Sequence, residues 1–238
     1  MMIDRVKTYI EGFDERLNGG IPGGSVVLLV GEPGTLKSSI AFNMLYNNAQ
    51  KDGVTGLYVT LEQSTTSITK HMKGMGWDPA EVAGKVEMLD IGIIRKRLTQ
   101  LKEQSWMQVF KMYVKSLRDT TKYDLLVIDS LPVLEILAKF KDPREDLFQL
   151  FEWLRDLGVT TVLISEMSPD SRAYAKYDED FLADGIIHLR MREEGEASVH
   201  RHIRCVKMRA TSHHNDYFSL LFEKGTFKAT RVIAGGKL

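Results

Sequence analysis

Ser25-Val-Val-Leu-Leu-Val30 runs directly into Gly31-Glu-Pro-Gly-Thr-Leu-Lys-Ser38, and the stretch from Lys37 to Asn47 then places Ile40, Ala41, Met44 and Leu45 at helical spacing. An apolar run, a glycine-containing turn and a 3.6-residue period read as strand, loop and helix. The loop has the G-x-x-x-x-G-K-[ST] spacing of a phosphate-binding loop, and it lies where such a loop must lie, between a buried strand and a helix start. There, successive backbone N–H groups and the helix N-terminus surround a β-phosphate. The candidate nucleotide-binding residues are therefore Gly31, Glu32, Pro33, Gly34, Thr35, Leu36, Lys37, Ser38 and Ser39. Lys37 would reach the β- and γ-phosphates of ATP and Ser38 would ligate Mg²⁺, with Ser39 as the helical neighbour. One position departs from the spacing: Leu36 stands where glycine is expected, and a Cβ there crowds the phosphates or forces an unfavourable φ. Three readings follow: a loop that binds and turns over nucleotide, one that binds with little turnover, and a strand-to-helix turn without a ligand.

Outward from this motif, Gly56–Leu61, Asp124–Ile128 and Val159–Ile164 are short apolar runs without clean alternation, as expected of strands covered on both faces. Between them, Met107, Phe110, Tyr113, Val114 and Leu117 mark one helix face, and Leu147, Leu150, Phe151, Leu154 and Leu157 another. Alternating strands and helices predict a mostly parallel, doubly wound α/β sheet. After Asp184 the pattern changes: Gly185–Leu189, His200–Met208, Tyr217–Phe222 and Phe227–Ile233 follow through short turns, predicting a C-terminal antiparallel extension. No repeat or linker divides the chain, so one domain over 1–238 is expected.

Two strand ends carry carboxylates. Leu125-Leu-Val-Ile-Asp129 has the form of a Walker B element, so Asp129 would hold Mg²⁺ opposite Ser38; the competing role is an N-cap for the next helix. Leu57-Tyr-Val-Thr-Leu-Glu62 brings a second acid to the same crevice, since the carboxyl ends of neighbouring parallel strands line one cleft. Glu62 there would orient and partly deprotonate an attacking water. The alternative is a solvated glutamate at a loop start.

Composition narrows the class. The chain of 238 residues is 43% hydrophobic and 27% charged, which suits a folded core rather than disorder. Lys plus Arg and Asp plus Glu both number 32, so no global charge draws it to nucleic acid or membrane, although a local basic patch stays open. Cys205 stands alone, so no intramolecular disulfide forms; with no secretory signal or long apolar span, a cytoplasmic setting is expected. The histidines show no zinc-ligand spacing. The loop Met167–Asp180 holds Arg172, Tyr174, Lys176 and Tyr177 but is net acidic, which does not favour DNA contact.

The segment Gly12-Phe-Asp-Glu-Arg-Leu-Asn-Gly-Gly-Ile-Pro-Gly-Gly-Ser25 resembles the opening signature of KaiC-like and RecA/RadA-like ATPases. The similarity continues through Glu62, Asp129-Ser130, Asp184–Ile187 and Lys207-Met-Arg-Ala-Thr-Ser-His213, with Ala210 where that family's motif has glycine. It implies a RecA-like P-loop fold, ATP and Mg²⁺ as cofactors, and a homo-oligomeric, hexameric ring. It also implies that Lys207 and Arg209 act as catalytic residues on the γ-phosphate held by a neighbouring subunit. Two other functions remain open: a nucleotide-dependent scaffold with little turnover, and a RecA-like DNA-handling protein.

Overall fold

The computed structural model describes residues 3–91, 106–167, 173–195 and 197–232. Strands β1 (Arg5–Val6), β2 (Ile10–Glu11) and β3 (Ile21–Pro22) precede β4 (Val26–Gly31), which leads through the glycine-containing loop into helix α1 (Lys37–Lys51). Next come β5 (Gly56–Thr60), α2 (Thr65–Gly74), β6 (Val86–Asp90), α3 (Trp106–Thr121), β7 (Leu125–Asp129), α4 (Leu131–Ala138), α5 (Pro143–Asp156) and β8 (Thr160–Glu166). A short α6 (Glu179–Leu182) then precedes β9 (Gly185–Glu194), β10 (Ser198–Met208), β11 (Phe218–Glu223) and β12 (Thr226–Arg231).

Among the described residues, ten strands form one sheet in the order β2-β12-β11-β10-β9-β4-β8-β7-β5-β6. From β6 to β9 every pairing is parallel, and β9 to β12 are joined antiparallel, as the change of pattern after Asp184 predicts. The far edge differs from a simple C-terminal extension, because the N-terminal β2 pairs in parallel with β12. The opening signature makes this possible. Phe13, Leu17 and Ile21 are fully buried, and the Asp14 carboxylate accepts hydrogen bonds from the Thr8 and Tyr9 amides and the Thr8 hydroxyl, so the segment wraps from the far edge back to β4.

Two apolar layers flank the sheet. On one face Val27, Leu29, Ile187 and Leu189 pack against Ile40, Met44 and Leu45 of α1 and Ile68 and Met72 of α2. On the other, Val26, Leu28, Val30 and Ile128 pack against Phe110 and Val114 of α3 and Leu147, Leu150, Phe151 and Leu154 of α5. Each inner strand is thus apolar on both sides, which removes the alternation a half-exposed strand would show. Some boundaries differ from the sequence reading: β5 stops at Thr60, two residues before Glu62, and β10 stops at Met208, so Arg209 begins a turn. Ile233 and residues 168–172 of the acidic loop, Asp170 and Arg172 included, lie outside the described residues.

Candidate nucleotide site

A parallel sheet with helices on both faces opens a crevice at the carboxyl ends of its strands. Here β4, β5, β7 and β8 converge on a cavity of about 310 Å³ lined by Gly34, Leu36, Lys37, Ser38, Glu62, Asp129, Ser130 and Glu166 among others. Its floor is the turn between β4 and α1.

That turn solves the problem posed by Leu36 through its backbone. Leu36 is the N-terminal cap of α1 with φ 70° and ψ 28°, the left-handed conformation that glycine adopts freely and a residue with a Cβ does not. Its side chain is half-buried against the α1 side of the core, so the loop keeps a glycine-like path at the cost of local strain. Gly34, at φ 80°, is a second left-handed position in the loop, where a Cβ would come within 2.7 Å of the Met191 methyl, the mobile end of a flexible side chain. Ala210, where the family motif also has glycine, shows the same solution at φ 55°.

Lys37 folds across the mouth of the loop, donating from Nζ to the carbonyls of Gly31 at 2.9 Å and Glu32 at 3.0 Å. Burial lowers its pKa, while Glu166, Asp129, Glu62 and Glu32 act in the opposite sense. Asp129 shares hydrogen bonds with the Ser38 and Tyr58 hydroxyls, and burial raises its pKa. Glu62 accepts a 2.7 Å bond from the Ser130 hydroxyl, which fixes the carboxylate over the cleft. Ser39 is buried and its hydroxyl meets His71 Nε2 at 3.2 Å, so its side chain ties α1 to α2.

The oxygen-only set formed by Ser38 and Asp129 suits a hard cation of the Mg²⁺ type. No group of three or more His, Cys, Asp or Glu residues that could hold a metal occurs among the described residues, so Mg²⁺ would need phosphate oxygens and water to complete its shell. Glu166 and Tyr58 are the lining and supporting residues that sequence reasoning missed. Glu166 had a signal, since it ends β8 beside Gly31 in the register and the argument used for Glu62 applies to it. Tyr58 looked like an ordinary core residue of β5.

The structure does not bring Lys207 and Arg209 to this cleft. Lys207 is opposite Ile186, which pairs with Leu28, three residues before Gly31 on β4. At about 3.3 Å per residue that places it roughly 10 Å toward the opposite end of the sheet, and two strands away. Its Nζ donates to the carbonyls of Asp180 and Phe181, and Arg209 forms a 2.7 Å ion pair with Asp184. Lys37 is then the only lysine or arginine lining a cleft that holds three carboxylates, among the described residues.

Comparison with known proteins agrees with the fold. The family model described as "ATPase: KaiC" matches residues 6–227. A UPF0273 protein of Thermotoga maritima is 34% identical over 226 residues, covering 89% of this chain and 90% of its own length. The circadian clock oscillator protein KaiC of Rippkaea orientalis is 31% identical over 223 residues, covering 89% of this chain but 41% of its own. The crystal structure of a KaiC-like protein from the archaeon Pyrococcus horikoshii superimposes with a TM-score of 0.81 at 29% identity, covering 96% of this chain and 99% of that one. No helix among the described residues is long and apolar enough to cross a membrane. With the family model matching residues 6–227 and a relative 34% identical over 89% of this sequence, the chain belongs to the KaiC ATPase family, a branch of the RecA-type P-loop proteins.

Proposed function

We propose that this chain is a Mg²⁺-dependent ATPase, acting as one domain, whose site is completed by a neighbouring copy in a homo-oligomeric ring. The observation that carries this reading is the charge of the cleft: Lys37 faces Glu62, Asp129 and Glu166, and a nucleoside triphosphate would add further negative charge. Phosphoryl transfer needs that charge neutralised as it develops. The chain's own Lys207 and Arg209 lie away from its cleft, bonded to the Asp180 and Phe181 carbonyls and to Asp184, and this reading assigns them to the site of an adjacent subunit.

In this mechanism the loop amides from Gly34 to Ser38 and the Lys37 ammonium hold the phosphates, for which Lys37 must release the Gly31 and Glu32 carbonyls. Ser38 and Asp129 would hold Mg²⁺, which supplies charge neutralisation between the phosphates. Glu62, oriented by Ser130, takes the proton of the attacking water as general base. Lys207 and Arg209 of the adjacent copy meet the charge growing on the transferred group. A cytoplasmic site of action and a hexameric ring complete the proposal.

ATP affinity and phosphate release measured on the parent and on Glu62→Gln test it. The substitution removes the base while keeping size and hydrogen bonding, so affinity should hold while release falls by about 10²–10⁴. Equal release would remove Glu62 from the base role. Tight ATP binding with no release from the parent would leave a nucleotide-dependent scaffold in place of an enzyme.

A further inference from the structure

Two side-chain bonds clasp β5 to β7 at the cleft, and they run in opposite directions. Ser130, next after β7, donates to Glu62, beyond the end of β5, and Tyr58 of β5 donates to Asp129 Oδ2 at the end of β7. Glu62, Ser130 and Asp129 all line the cavity. Tyr58 lies behind it, and nothing in the proposed mechanism yet uses its hydroxyl.

The register explains how that hydroxyl reaches the site. Thr60 is level with Asp129 and Tyr58 with Val127, so Tyr58 starts about 6.6 Å short of Asp129 along the strand. Only a long side chain rising under Thr60, which shares its face of β5, can cover that step. A phenylalanine would end in a C–H beneath the carboxylate, whereas the tyrosine ends in a donor. Its ring is fully buried and packs on Phe42 of α1 with centroids 6.1 Å apart, which leaves the hydroxyl one direction to point. Burial first, and then the negative charge of Asp129, raise its pKa well above that of an ordinary phenol, so the group is held as a protonated donor.

A buried phenol needs an acceptor, and a backbone carbonyl normally suffices. Tyr123, buried on the other face of the sheet, meets that need with the Val114 carbonyl at 3.0 Å. Tyr58 engages a charged group of the site instead. Among the described residues the Asp129 carboxylate is bonded by two groups, the Tyr58 and Ser38 hydroxyls. A cation held by Ser38 and Asp129 takes the lone pairs of Ser38, while Tyr58 has no task but the carboxylate. With Oδ2 tied to a donor fixed in the core, the carboxylate is kept from rotating and Oδ1 keeps a single aim.

We infer that Tyr58 is a positioning residue for the divalent cation: its hydroxyl fixes the Asp129 carboxylate in the orientation that receives Mg²⁺. The inference rests on the Mg²⁺ reading of the cleft given above. Groups that orient a metal ligand from behind are worth about 10–100-fold in metal affinity. Since Tyr58 stands behind Asp129 and outside the cavity lining, its effect falls on the cation and not on the phosphates.

The full chain, in excess over ADP, tests this in two steps. Calorimetry in EDTA gives the affinity for ADP, and the EPR signal of free Mn²⁺ then follows uptake of that ion by the ADP complex. Tyr58→Phe keeps the ring and its packing on Phe42. It should bind ADP in EDTA within about twofold of the parent and take up Mn²⁺ about 10–100-fold more weakly. In an Asp129→Asn background the same substitution should change Mn²⁺ affinity by less than about twofold, because it acts through that carboxylate. Equal Mn²⁺ affinity in Tyr58→Phe and the parent would overturn the inference. So would a matching loss of ADP affinity in EDTA, the mark of a disturbed loop, or an undiminished effect in the Asp129→Asn background. A parent that binds ADP yet takes up no Mn²⁺ would overturn the Mg²⁺ reading itself, and the inference with it.

Discussion

Leu36 gives the sharpest test of how the phosphate loop is built, because its left-handed φ of 70° reverses the usual ranking of two small residues. At an ordinary helical φ, alanine is more stable than glycine by about 0.4–1 kcal/mol, since glycine loses more freedom on folding. At a left-handed position alanine instead carries a strain of roughly 1–2 kcal/mol that glycine escapes. Leu36→Ala and Leu36→Gly both lose the same partial packing of the leucine on the core, so that term cancels between them. The difference leaves Leu36→Gly more stable than Leu36→Ala by about 1 kcal/mol. Urea titrations of the two variants, with matching m-values, read this directly. If alanine equals or exceeds glycine, the left-handed turn is wrong and the loop does not follow the path described. ATP affinity should differ between Leu36→Gly and the parent by less than about threefold, since the backbone already holds the glycine conformation. A gain above tenfold would mean that the leucine side chain itself obstructs the phosphates.

Lys37→Ala removes the only lysine or arginine lining the cleft among the described residues and should weaken ATP binding at least tenfold by calorimetry; unchanged affinity would sink the phosphate-loop assignment. Glu135, on α4, has its pKa pushed from 4.5 to about 7 by burial first and by Glu179 second, against Lys176. Its folded pKa exceeds its unfolded one, so the folded state binds the proton more tightly; stability from this group is present below about pH 4.5 and is lost as pH rises toward about 7. Glu135→Gln should therefore raise the midpoint of thermal unfolding relative to the parent above pH 7 and leave it unchanged near pH 4, and a gain independent of pH would refute the titration.

Much of this could be read from the sequence because its signals are local. The run Ser25–Val30, the loop and the period of α1 each fall within a few residues, and Asp129 and Glu62 announce themselves by following apolar strands. The antiparallel strands after Asp184 were legible through their short turns. What escaped depended on long-range pairing. The two-residue strand β2 has no pattern of its own and exists because β12 offers it an edge. Edge strand β6 is only partly buried, so Val86–Asp90 lacks the apolar run that marks its neighbours. The left-handed turn at Leu36 is set by the family of contacts around the loop, against the preference of leucine itself. The arginine–histidine pairs across β9 and β10, His188 with Arg204, Arg190 with His202 and Arg192 with His200, become visible only once the register is known; in the sequence the same residues are scattered among Glu193, Glu194 and apolar neighbours.

The shared site is tested most directly by mixing two inactive variants and measuring phosphate release. Arg209→Ala keeps an intact phosphate loop but has no arginine to lend, and Lys37→Ala lends its arginine but holds nucleotide poorly; each alone should release phosphate slowly, since such a finger residue is worth about 10³ or more in rate. In mixed assemblies an intact loop meets an intact Arg209 across some interfaces, so activity should return in part and rise with the fraction of mixed neighbours. Assemblies shown by native mass to contain both variants, yet releasing phosphate no faster than either variant alone, would contradict a site completed across the subunit boundary.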